Sequence, residues 1–168
     1  MTVPAKSIRP ALLQIDAILG RLTGAAALEE VCRFLRSSYP HYRWVGIYRR
    51  DGTELVLDAW QGDAPTEHTR IPIERGVCGR AVREERTVIV DDVRTAPEYL
   101  ACFLETRAEI VVPIRGARGV IGEIDIDGNS VGAFDASDRT FLEAVAPKLT
   151  RDVEAIAAAP PTDGAGAR

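Results

Sequence analysis

The most regular signal in the chain is the alternation in GVIGEIDIDG, residues 119–128. Val120, Ile124 and Ile126 fall on one face of an extended segment; Ile121, Glu123, Asp125 and Asp127 fall on the other. AEIVVPI (108–114) has the same period. RWVGIYRRDGTELVLDAW (43–60) reads as a hairpin turning at Asp51-Gly52, with Val45 and Ile47 on one face and Trp44, Gly46 and Tyr48 on the other. HTRIPIE (68–74) and TVIVDDV (87–93) are shorter extended pieces. Helical spacing appears in ALLQIDAILGRL (11–22) and in AALEEVCRFLRSSY (26–39), where Leu28, Val31, Cys32 and Leu35 form one stripe. RGVCGRAVREE (75–85) reads as a Gly-rich turn entering a short helix, while RTAPEYLACFLETR (94–107) has no clean period. DASDRTFLEAVAPKLTRDVEAIAAA (135–159) is a closing helix with Asp135 or Ser137 as its cap and a break at Pro147.

This order predicts an α+β fold: about six antiparallel strands, with N- and C-terminal helices on one face and the middle insertions on the other. The expected boundaries are a flexible N-terminus at 1–7, one domain at 8–158 and a disordered tail at 159–168. Pairing Ile114 with Val120 sorts the apolar and acidic sets of the last hairpin onto separate faces, and it sets Glu109 opposite Asp125. Acids alternating with isoleucine ordinarily mark a wet face. Trp44, Tyr48 and a cysteine-bearing loop beside the same acids favour a small-molecule pocket instead.

Composition narrows the classes. The chain has 168 residues and a net charge of −4, enough for one domain with a core and unsuited to nucleic acid or an anionic membrane surface. No apolar run is long enough to span a bilayer and the first residues form no signal-peptide core, so a cytoplasmic protein is expected. Three cysteines, Cys32, Cys78 and Cys102, suit thiol chemistry or inert packing better than structural disulfides there. Cys32 belongs to the helical stripe and so to the core. With two histidines and no zinc-finger spacing, no metal site is expected.

WVGIY (44–48), RIPIERGVCG (70–79), YLACF (99–103), EIVVPI (109–114) and GVIGEIDID (119–127), in unbroken order, together resemble the free methionine-(R)-sulfoxide reductases, which are single GAF domains. The resemblance implies a six-stranded antiparallel sheet with a closed pocket, and reduction of free methionine-(R)-sulfoxide without a bound cofactor. It implies that Cys102 attacks the sulfoxide sulfur. Glu109, Asp125 and Asp127 would hold the amino acid and assist protonation, and Trp44 and Tyr48 would wall the pocket. The resulting sulfenic acid condenses with a second thiol, and an external dithiol such as thioredoxin resets the enzyme. Cys78, in GVCG, is the candidate resolving thiol, its place at a helix start favouring the thiolate; simple packing there is the other reading. A homodimer is compatible with this scheme.

The chain departs from the family pattern at named positions. His68 stands where the family carries a further cysteine, and Phe103 where an Asp commonly follows the reactive cysteine. Glu74 and Glu123 replace a glycine and an apolar residue. The rival functions are a GAF ligand-binding or sensory module without efficient turnover, and an interaction unit whose thiols are merely buried.

Overall fold

The computed structural model describes residues 5–101 and 103–160; Cys102 lies outside the described residues. In chain order the elements are α1 (Ala5–Arg21), α2 (Gly24–Ser38), β1 (Trp44–Asp51), β2 (Glu54–Gly62), β3 (Arg70–Pro72), α3 (Gly76–Glu84) and β4 (Val88–Val90). After a 3-10 turn at Val93–Thr95 come β5 (Ala108–Gly116), β6 (Gly119–Gly128), α4 (Ala136–Val145), a 3-10 turn at Ala146–Leu149 and α5 (Thr150–Ala158). The strands form one antiparallel sheet in the order β3-β2-β1-β6-β5-β4. The expected α+β architecture is the observed one. No helix among the described residues is long and apolar enough to cross a membrane.

Alternation divides the sheet into two packed faces. Val45, Ile47, Ile110, Val112, Ile114, Ile124 and Ile126 are buried against α1, α2, α4 and the following turn, joined by Leu28, Val31, Cys32 and Leu35. Each such aliphatic side chain contributes about 1.5–3 kcal/mol by leaving water, which makes this face the main source of stability. Trp44, Tyr48, Leu55, Val111 and Val120 face the other way and are covered by α3, Val90 and Val93. The terminal helices and the middle insertions therefore cover opposite faces, as the sequence order predicts.

Local chemistry sets the helix ends. Asp135 caps α4 by accepting hydrogen bonds from the Ser137 and Asp138 amides, and the Asp138 carboxylate returns one from the Asp135 amide at 3.0 Å. Pro147 cannot supply an amide hydrogen, and the chain tightens into the 3-10 turn there before α5 begins.

The structure corrects several expectations. α1 starts at Ala5, three residues before the expected domain boundary at residue 8. Of 87–93 only Val88–Val90 pairs as strand, because the Asp92 carboxylate accepts from the Arg94 amide at 3.1 Å and starts the 3-10 turn. The last hairpin closes tightly with Gly116 opposite Gly119, and its register then shifts: Arg115 faces Val120 but Ile114 faces Gly122. Ile121 is left without a ladder partner, as the extra residue of a bulge. Glu109 consequently lies opposite Asp127, not Asp125. The bulge also exchanges two side chains between faces: Val120 joins the cluster of Tyr48 and Val111, and Ile121 packs against the helix-side core.

Candidate functional site

Three neighbouring strands lay the candidate residues out in rows. Asp127 sits between Trp44 on β1 and Glu109 on β5; Asp125 sits between Gly46 and Val111; Glu123 sits between Tyr48 and Pro113. Side chains opposite one another in a ladder share a face. The alternating acids of β6 are thus brought into the middle of the sheet, under cover. Glu109 is 5% exposed, Glu123 0%, Asp125 2% and Asp127 3%. A solvated outer face is ruled out.

Trp44 is held by glycines. Its indole lies so close over Gly46 and Gly62 that a Cβ on either would fall 2.3 Å from a ring atom. This explains the glycine in WVGIY: any larger residue would lift the ring off the sheet. Trp60 stacks alongside it with centroids 6.4 Å apart, and Phe103 tilts against it at 6.0 Å. Tyr48 is fully buried, and its hydroxyl donates to the His68 carbonyl at 2.8 Å.

The candidates do not share one cavity, contrary to the single pocket the pattern suggests. An open cavity of about 480 Å³ is lined by Trp44, Phe103, Asp127, Arg43, Asp63 and neighbouring loop residues. A separate space of about 10 Å³ is lined by Ile71, Gly76, Val77, Cys78, Leu100, Glu109 and Asp125. Tyr48 lines neither. Asp127 and Glu109, opposite each other in the ladder, stand at the two spaces. The arrangement is an open cavity at Trp44 and Asp127 together with a much smaller acidic space at Cys78, Glu109 and Asp125.

Burial dominates the electrostatics of these acids. Desolvation, then repulsion from Asp125 and Asp127, holds Glu109 well above the usual carboxylate range. Burial pushes Glu123 up to about 8, with the Cys78 thiol beside it pulling the other way and Asp125 adding to the rise. Asp125 rises to about 6 through burial, against the favourable thiol and the Glu109 carboxyl. Asp127 is raised well above its ordinary value by burial and then by Asp125. Among the described residues Glu109 Oε2, both Glu123 oxygens, Asp125 Oδ1 and Asp127 Oδ2 find no hydrogen-bond partner. Glu109, Glu123 and Asp127 are thereby held towards the protonated form, and Asp125, at about 6, lies near enough to neutrality to exchange a proton with a reacting oxygen.

Cys78 lies in the first turn of α3, reached through Gly76 at φ 70°, a left-handed conformation open to glycine. Its Sγ is 4.0 Å from Glu109 Oε1. The helix start does not favour its thiolate as the sequence suggests: burial, then Asp125, Glu123 and Glu109, hold the thiol well above its ordinary value. Burial first, and then the surrounding acids, outweigh the dipole of a nine-residue helix.

Cys102 is outside the described residues, but its neighbours are not. Ala101 receives His68 Nε2 at 3.0 Å through its carbonyl, and Phe103 packs on Trp44. His68 is in the loop before β3, not on a strand. Its role as a clasp between two loops is invisible in sequence, because the contact spans 33 positions. The contacts of Trp60 and Phe103 with Trp44 likewise join distant positions and carry no local signal. Glu123 carries a local signal, the shared alternation with Asp125 and Asp127, and joins the site with them.

The GAF domain family pattern matches residues 23–151. The chain is 38% identical over 136 residues to GAF domain-containing protein A of Dictyostelium discoideum, covering 80% of this chain and 84% of that protein. It is 30% identical over 132 residues to the free methionine-R-sulfoxide reductase of Escherichia coli, covering 79% of each. Among solved structures, the free methionine-R-sulfoxide reductase of Neisseria meningitidis in complex with its substrate superposes with a TM-score of 0.82 at 37% identity, over 89% of this chain and 90% of that one.

Proposed function

The chain belongs to the GAF domain family, among the free methionine-R-sulfoxide reductases, and on that premise we propose that it reduces free L-methionine-(R)-sulfoxide with thiols. One observation carries the reading: an aromatic wall and unpartnered carboxylates meet at the same row, Trp44–Asp127–Glu109. The indole offers an apolar face to the methyl-sulfur end, and a carboxyl of the row, giving up its proton as the substrate ammonium arrives beside it, offers a counter-charge. Both ends of a small zwitterion are met.

In the proposed chemistry the Cys102 thiolate attacks the sulfoxide sulfur, and the sulfoxide oxygen takes up a proton from a buried carboxyl, for which Asp125 is the candidate. The sulfur–sulfur bond made in the attack and the substrate S–O bond both break as the oxygen passes to the Cys102 sulfur, leaving a sulfenic acid there while methionine departs with the electron pair. The Cys78 thiol then condenses with it, releasing water and forming a disulfide, which an external dithiol of the thioredoxin type reduces. The raised thiol of Cys78 makes this second step the slower one, since its thiolate is scarce at neutral pH.

Incubation with each free epimer and a dithiol, with methionine quantified, tests the proposal. Methionine should form from the R epimer, and Cys102→Ser should form none, because a hydroxyl is a far poorer nucleophile. Wild-type turnover in the serine variant would overturn the mechanism. A second reading, a ligand-binding module without turnover, is favoured by His68 at the family's usual cysteine position. Tight binding of the R epimer with no methionine released would establish it.

A further inference from the structure

The space beside Cys78 is too small for an amino acid. Its roughly 10 Å³ is about the space of one water-sized guest. Among the apolar walls of Ile71, Val77 and Leu100 it holds three ionisable groups, which an empty apolar gap would not. Cys78 Sγ and one carboxylate oxygen each of Glu109 and Asp125 lie within 4.8 Å of one another. All three residues are buried, and Glu109 Oε2 and Asp125 Oδ1 have no partner among the described residues. Glu123, fully buried with both oxygens unpartnered, adds a further acid beside the thiol. Protonation keeps such a group neutral; a cation would do the same with better pairing.

We propose that the thiol of Cys78 and the carboxylates of Glu109 and Asp125 form a binding site for a single borderline-soft divalent cation, of which Zn²⁺ and Cd²⁺ are the type. The donor set fits that class: thiolate selects against Mg²⁺ and Ca²⁺, and carboxylates are ordinary companions of sulfur on zinc. Tetrahedral zinc with bonds of about 2.0–2.3 Å spaces its ligand atoms roughly 3.3–3.8 Å apart. Cys78 Sγ and Glu109 Oε1, at 4.0 Å, need to close by tenths of an ångström, and the pairs with Asp125, within 4.8 Å, by up to about 1 Å. On binding, the ligands release their protons to solvent and no electron is transferred. The expectation of no metal site came from histidine count and zinc-finger spacing, and neither applies to a site assembled from one helix and two strands. Its consequence, which rests on the reductase reading, is inhibition: the ion occupies the resolving thiol and the acids beside it, so later turnovers slow more than the first.

The test is titration of the reduced, chelator-stripped full-length protein with Cd²⁺ and Zn²⁺, following the ultraviolet thiolate-to-cadmium band and the metal retained after dialysis. One equivalent should bind, and Cys102→Ser and Cys32→Ala should retain it. Cys78→Ala should lose the band. Glu109→Gln and Asp125→Asn, checked for folding by circular dichroism, should each weaken binding about 10–100-fold or more. Absence of the band in the wild type, its survival in Cys78→Ala, its loss in Cys102→Ser, or unchanged affinity in both carboxamide variants would overturn the site. Methionine formation by the same metal-free preparation separates the two claims. Turnover without metal binding sinks the cation site alone, and binding without turnover sinks the reductase reading alone.

Discussion

Asp138 and Asp152 on the helix side are as buried as Glu123 on the other face, each 0% exposed, yet their surroundings differ in kind. Asp138 accepts from the Tyr42 hydroxyl at 2.8 Å and the Asp135 amide at 3.0 Å, and lies 2.7 Å from His41 Nε2. Asp152 accepts from the Gly24 amide at 2.8 Å and from Arg151 at 3.0 Å, tying the start of α2 to α5. Every donor there is supplied by the fold itself. Glu109, Glu123, Asp125 and Asp127 have oxygens that no described donor reaches. Burial without donors opposes folding, since a desolvated acid must keep its proton or find a cation. One set of acids is tied into the fold by its donors; the other is buried without them, and the proposed function assigns it to a guest.

Asp138→Ala should break this contrast most. It leaves the Tyr42 hydroxyl, His41 and the Asp135 amide without their acceptor and should cost about 3–5 kcal/mol in urea unfolding, with activity per folded molecule unchanged. A loss of activity at full folding would make Asp138 part of the site. Asp125→Asn should do the reverse. It should leave the unfolding midpoint level or higher while lowering kcat/KM for the R sulfoxide about 100-fold, roughly 2.7 kcal/mol of transition-state stabilisation.

Gly46→Ala lies between the two regions, in the sheet but under Trp44. A methyl there collides with the indole, so KM should rise about tenfold, some 1.4 kcal/mol, with a smaller effect on kcat. Quenched or shifted tryptophan fluorescence would report the displaced ring. An unchanged KM would remove Trp44 from the binding wall.

The smallest effect expected is a pH-dependent gain. Glu123 has an ordinary value of 4.5 and is raised to about 8 in the fold. Between these values the folded state holds a proton that the unfolded chain has released, so the stability Glu123 allows is full below about 4.5 and falls as pH rises towards 8. Glu123→Gln removes that loss. It should stabilise the protein by about 1 kcal/mol at pH 8, where the amide's own unmet hydrogen bonds offset most of the relief, and should destabilise it near pH 4.5, where that pH-independent cost remains and there is no loss to remove. Equal stabilisation at both pH values, from thermal unfolding, would assign the effect to packing.

Much of this was legible before any coordinates. The period of two in β1, β5 and β6 assigned Trp44, Tyr48, Glu109, Asp125 and Asp127 to one face, because alternate residues of a strand must point to the same side. The stripe of Leu28, Val31, Cys32 and Leu35 placed Cys32 in the core for the same local reason, and Asp135 announced the start of α4. Longer-range facts were decided only by the tertiary structure. A bulge at Ile121 set Glu109 against Asp127, since register depends on how a hairpin closes and not on its period. Two spaces replaced one pocket because a loop, α3 and three strands each contribute part of the walls. The thiol of Cys78 keeps its proton against its helix start because desolvation and repulsion come from residues 31 and more positions away. Sequence periodicity fixes which way a side chain points; only packing decides whether water reaches it, and that decides its charge.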